Sequence, residues 1–169
     1  MTINQKIIPH LWFDNNAEEA VNHYVSLFAN SKITKIARYG DAGPGPKGSV
    51  MSISFVLNGQ EFAAINGGPQ FQHSAAMSLL IWCDTQAEID ELYGKLLADG
   101  GKEQACGWVQ DRFGPIWQVN YKRMPEMIGS GDGAASTRVM RAMMAMKKID
   151  VQKLEDAYAG KQAAAGDMT

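Results

Sequence analysis

The sequence predicts an α+β protein built from two βαβββ modules and completed by a C-terminal helical extension. Three observations carry this prediction. The same order of strand-like and helix-like stretches runs through the chain twice. Residue matches recur when the chain is slid along itself by 70 positions, and the composition changes after the second series. The expected domain covers residues 1–123, with modules at about 5–68 and 76–123; residues 124–160 form the extension and 161–169 a flexible tail.

Each element follows from local pattern. Lys6 to Phe13 is rich in β-branched and aromatic residues and reads as a strand, with Pro9 implying an edge or a bulge. Asp14-Asn15-Asn16 offers caps to a helix whose apolar face is Ala17, Ala20, Val21, Tyr24, Leu27 and Phe28. Strands follow at Ile33 to Arg38, Ser49 to Leu57 and Glu61 to Ile65. The Gly- and Pro-rich run Tyr39 to Gly48 makes an irregular, mobile loop between the first two, and Asn58-Gly59 a hairpin turn between the last two.

The order then restarts. Met77 to Cys83 is an apolar strand, Asp84-Thr85 caps, and Ile89, Leu92, Tyr93, Leu96 and Leu97 repeat a helical stripe that stops at Gly100-Gly101. Lys102 to Ala105, Gly107 to Gln110 and Ile116 to Tyr121 are short strands, the last two closed into a hairpin by Asp111-Arg112-Phe113-Gly114. At the offset of 70, Trp12 meets Trp82, Asp14 meets Asp84, Ala17 meets Ala87, Glu18 meets Glu88 and Leu27 meets Leu97, each at an equivalent strand end, cap or helical turn. Beyond Pro125 and the break Gly129 to Gly133, Val139, Met140, Met143 and Met144 share a helical face. Asp150 caps a last helix that Gly160 ends.

Composition narrows the function. A chain of 169 residues with 46% hydrophobic and 20% charged residues can bury a substantial core, about 70% of its unfolded surface. A net charge of -2 gives no bulk attraction to nucleic acid or to an anionic membrane. No run approaches a membrane span, no apolar signal core opens the chain, and Cys83 and Cys106 read as reduced, so the expected location is the cytoplasm. Gly40 to Gly48 invites a phosphate-loop reading, but such loops open directly into a helix and this one leads into a strand.

Three histidines are available. His23 lies off the first helix's apolar stripe, His73 sits in a connector, and His10 shares a strand face with Trp12, where its intrinsic pKa suits acid-base work. No pair has the spacing of a metal site. Trp12, Trp82, Trp108 and Trp117 can build an aromatic-lined concavity, with at least two of the four expected in the core.

Several segments carry a family likeness: Pro9 to Phe28, Asn58 to Phe62, Ile65 to Pro69, Cys106 to Gly114, Ile116 to Val119, Arg138 to Met144 and Lys147 to Asp150. Together they resemble the PhnB-like branch of the vicinal oxygen chelate superfamily, often labelled a 3-demethylubiquinone 3-methyltransferase domain. The resemblance implies paired βαβββ modules forming a curled mixed sheet around a cleft, frequent homodimers, and relatives such as glyoxalase I, ring-cleaving dioxygenases, and fosfomycin- and bleomycin-resistance proteins. Its metalloenzymes carry His or Glu on the first and last strands of each module, positions that map here to Ile8, Ser78, Gln118 and a residue near Ala64. Those residues lack the imidazole or carboxylate donors of a catalytic divalent metal. The reading is therefore a small-molecule-binding protein without a catalytic metal or other cofactor, its ligand contacting Trp12, Ser78, Trp82 and Trp108. His10 and Gln118 are the candidates for catalysis. A metal-dependent enzyme of the superfamily, the methyltransferase of the label and an interaction module recruiting a partner through the Met-rich tail are the alternatives.

Overall fold

The computed structural model describes residues 5–161, so the first four residues and the expected tail beyond Lys161 lie outside it. The chain divides into two compact units, Met1–Ser74 and Ala75–Thr169.

The first unit contains β1 (His10–Phe13), α1 (Ala17–Leu27), β2 (Lys32–Arg38), β3 (Val50–Leu57) and β4 (Gln60–Asn66). Its sheet has the order β1-β4-β3-β2, with β1 parallel to β4 and the other pairs antiparallel. β1 is an edge strand, as Pro9 requires, and begins only at His10; Pro9 has no N–H to give, though its carbonyl accepts the Ala63 N–H at 2.9 Å. Alternation then sorts the faces. Leu11 and Phe13 are buried with Ala17, Ala20, Val21 and Tyr24 of α1 and with Ile53, Phe55 and Ala64, while His10 and Trp12 stay on the opposite face. At the β3–β4 turn Asn58 and Gly59 both take positive φ, 45° and 83°, which a tight hairpin turn of this hand demands.

One cap differs from expectation. Asn16 occupies the N-cap of α1 but its side chain makes no capping bond; the Ala17 N–H is accepted instead by Oδ1 of Asn66, 2.9 Å away at the end of β4. The sheet thus caps the helix.

The second unit repeats the topology with β5 (Leu79–Cys83), α2 (Gln86–Leu97), β6 (Lys102–Glu103), β7 (Trp108–Gln110) and β8 (Ile116–Tyr121), in the order β5-β8-β7-β6 and with β5 parallel to β8. Thr85 caps α2 by accepting the Glu88 N–H, and Ile89, Leu92, Tyr93 and Leu96 form its buried stripe. Three helices complete the unit: α3 (Met124–Ile128), α4 (Gly133–Met144) and α5 (Val151–Ala159), the last capped by Asp150 and ended by Gly160 in the left-handed conformation. The face expected to pack on α4 is split: Val139 is buried with Ala135 and Met143 is half-buried, whereas Met140 and Met144 are 38% and 63% exposed. Among the four tryptophans only Trp117 is in the core, where at least two were expected.

Candidate functional site

The open face of the second sheet gathers four of the six residues expected at a site. Gln118 of β8 is the register partner of Leu80 on β5 and of Trp108 on β7, so the three side chains share one face. Ser78, just before β5, completes the group: Gln118 Nε2 donates to Ser78 Oγ at 2.7 Å. Leu80 and Trp82 are 44% and 43% exposed beside this pair, and Trp108 is half-buried. No charged residue lies in β5, β7 or β8. The face therefore offers aromatic and aliphatic surface around one neutral polar pair.

Behind it the hairpin is locked. Trp117 and Val109 point to the opposite, buried face, so Trp117 cannot line a concavity with Trp108 as the sequence suggested. Its Nε1 donates to Asp111 Oδ2 at 2.7 Å, and Asp111 Oδ1 accepts the Phe113 and Gly114 N–H groups at 2.7 and 2.9 Å. Asn120, unremarked in the sequence, is 7% exposed and in register with Trp82, and its Oδ1 makes no hydrogen bond among the described residues. The signal for it was parity: it stands two residues after Gln118.

His10 and Trp12 belong to the first unit. His10 is exposed on β1. Trp12 occupies the register equivalent of Trp82 but has different surroundings. Its Nε1 donates to the Gly68 carbonyl at 2.8 Å, Phe71 packs edge-on at 5.0 Å, and a Cβ on Gly67 would sit 2.2 Å from the indole. The connector carrying His73 closes the same corner, with Nε2 of His73 2.7 Å from the Trp12 carbonyl. Trp12 is thus covered within its own unit and Trp82 is not.

The register also moves one position. Leu11 pairs with Ala64, both buried, and His10 pairs with Ala63, so Ala63 rather than Ala64 is the first unit's counterpart of Gln118. Neither alanine carries a donor atom. Ile8 precedes the strand and has none either, while Ser78 and Gln118 are neutral and bonded to each other. Among the described residues, no three His, Cys, Asp or Glu side chains are grouped to hold a metal ion. Cys83, at the end of β5, is fully buried, and burial, helped by Glu88 and Asp84, pushes its thiol up to about 12.

The family model of the 3-demethylubiquinone-9 3-methyltransferases matches residues 5–120. Among solved structures, the chain is similar to the PhnB protein from Bacillus cereus, with 41% identity over 68% of this chain and 97% of that one and a TM-score of 0.62. Protein PA1353 from Pseudomonas aeruginosa, 23% identical over 68% and 95% of the two chains with a TM-score of 0.56, shares the fold. A protein from Staphylococcus aureus is 36% identical over 70% of this chain and 96% of its own, with a TM-score of 0.33. No curated protein matches the chain.

Proposed function

The chain belongs to the 3-demethylubiquinone-9 3-methyltransferase family, the PhnB-like branch of the vicinal oxygen chelate superfamily, and on that premise we propose that it binds a small neutral organic molecule without a catalytic metal. The observation that carries this reading is the 2.7 Å bond from Gln118 to Ser78. Two positions where metalloenzymes of the superfamily hold their ion carry neutral side chains that satisfy each other. An ion there would have to break that bond and accept two weak ligands.

In this reading Trp82, Trp108 and Leu80 supply apolar contact, and the Gln118 amide orients a ligand carbonyl or hydroxyl. The protein acts in the cytoplasm as a homodimer. Tryptophan fluorescence across a panel of neutral metabolites and antibiotics tests the binding: a saturable change is expected, weakened about five- to tenfold by Gln118→Ala, the worth of one hydrogen bond. Silence across the panel, or stoichiometric zinc, nickel, manganese or iron in the purified protein, sinks the reading.

The family description favours a second reading, methyl transfer. It ranks lower because each sheet contains a single parallel pair and not the doubly wound parallel sheet expected of a methyl-donor or dinucleotide site. Calorimetric titration with S-adenosylmethionine separates the two, since tight stoichiometric binding supports the second alone.

A further inference from the structure

The irregular loop between β2 and β3 lines a cleft of about 680 Å³ within the first unit, floored by Asn66 and walled by the start of α1, the Pro44–Pro46 stretch and Gly67 to Gln70. That volume lies in the range of small-molecule pockets. Its frame is tied down. Asn66 Nδ2 donates to the Val50 carbonyl at 3.1 Å, and the Tyr39 hydroxyl donates to the Asn66 carbonyl at 2.8 Å. The loop ends are clasped by bonds from Tyr39 N to Ser49 O and from Gly48 N to Tyr39 O, at 2.9 and 2.8 Å. Gly45 passes so close over the Tyr39 ring that a Cβ would stand 2.3 Å from it.

Charge of both signs faces this cleft. Arg38 at the end of β2, Glu18 in the first turn of α1 and Asp14 just before that helix all line it. Arg38 Nη2 and Glu18 Oε1 are 3.9 Å apart, beyond hydrogen-bonding reach, and both side chains are about half exposed, at 52% and 45%. Such a pair contributes at most about 1 kcal/mol, so a guest that takes over both charges displaces little. Pro44, Pro46, Val50 and Pro69 add apolar surface among the polar side chains of Asn15, Ser49, Asn66 and Gln70.

We propose that this cleft binds a small amino-acid-like zwitterion, its carboxylate on Arg38, its ammonium between Glu18 and Asp14, and its apolar side chain against the prolines. The site is independent of the binding proposed on the second sheet, and its readouts come from the first unit alone. The test is a titration of the intact protein with L-leucine, followed by amide NMR, with isovalerate and isoamylamine as single-charge controls. Saturable shifts at Tyr39, Gly45, Gly67 and Gly68 are expected with L-leucine, weaker by about tenfold or more in Arg38→Gln and Glu18→Gln, each of which removes a charge-assisted contact. Both side chains are half exposed, so Glu18→Gln should keep the wild-type melting temperature, and Arg38→Gln should lose only the exposed bond from Arg38 Nη1 to the Gly48 carbonyl at 3.2 Å. Non-saturating shifts, equal binding of either control, or unchanged affinity in the variants overturns the proposal.

Discussion

Asp111 is 4% exposed and places both carboxylate oxygens inside the β7–β8 hairpin, one on two turn amides and one on the Trp117 indole. Truncating it removes an acceptor from the buried indole N–H and from the Phe113 N–H, while the Gly114 N–H keeps the Asp111 carbonyl at 3.1 Å. Asp111→Ala should therefore lose about 3 kcal/mol in urea denaturation, within the range for unsatisfied buried groups, and Asp111→Asn clearly less because one acceptor survives. Equal losses would mean that packing, not hydrogen bonding, holds the turn. Cysteine reactivity follows from burial in the same way. With its thiol pushed up to about 12, Cys83 holds almost no thiolate at pH 8 and is covered besides. Native protein should take up one equivalent of iodoacetamide, at half-buried Cys106, and a second only on unfolding; mass spectrometry of the digested protein reads the site.

Two glycines make opposite predictions at the level of elements. Gly107 follows Cys106 in a turn where both residues have positive φ, 59° and 80°, and a Cβ on Gly107 would meet the Val119 carbonyl at 2.6 Å and Ile149 at 2.9 Å. Gly94 lies within α2 with nothing within 4 Å of its added Cβ. Gly107→Ala should cost about 2 kcal/mol or more from strain and clash, and Gly94→Ala should gain about 0.5–1 kcal/mol from helix propensity. The α4 cap gives a pH dependence. The Ala135 and Ala134 amides hold the Asp132 carboxyl below its ordinary 3.8, so its contribution is full above that value and is lost as pH falls through the lower folded one. The stability gap between wild type and Asp132→Ala, read by denaturation at successive pH values, should narrow below pH 3.8. Most of this architecture is legible locally: Asn58-Gly59, the two helical stripes and the 70-residue repeat all describe short-range preference. What escaped depends on distant partners. The α1 cap comes from Asn66, 49 residues away; the Ala63-Ala64 pair has no contrast in side chain to set its register; and the five-residue α3 is too short to show a period. In the candidate site, Ser78 and Gln118 came from the family resemblance, mapped onto the strands by parity, whereas the cover over Trp12 and its absence over Trp82 arise from a connector without periodicity.

Among the described residues the two units share a topology but only the second carries extra helices, and these helices are bound into it. Cys106 and Gly107 donate to the Met146 and Lys147 carbonyls at 2.8 and 2.6 Å, and Gln86 bridges the Ile149 carbonyl and the Val151 N–H at 3.0 and 2.7 Å. Lys148 pairs with Asp90 on α2, while Glu155 on α5 receives both the Tyr121 hydroxyl, at 2.9 Å, and Arg123. Met127, Val139, Ile149 and Leu154 are fully buried, and at about 1.5–3 kcal/mol for each such side chain they contribute about 6–12 kcal/mol at most, part of it among the helices themselves. That is comparable to the net stability of an ordinary domain. Residues 124–161 are thus a structural part of the second unit. A chain ending at Arg123 should lose the near-ultraviolet circular dichroism of the buried Trp117 and become protease-sensitive between residues 79 and 121. If the shortened chain keeps that signal and its denaturation midpoint, the helices serve assembly alone, and the dimer proposed above should then be what disappears with them.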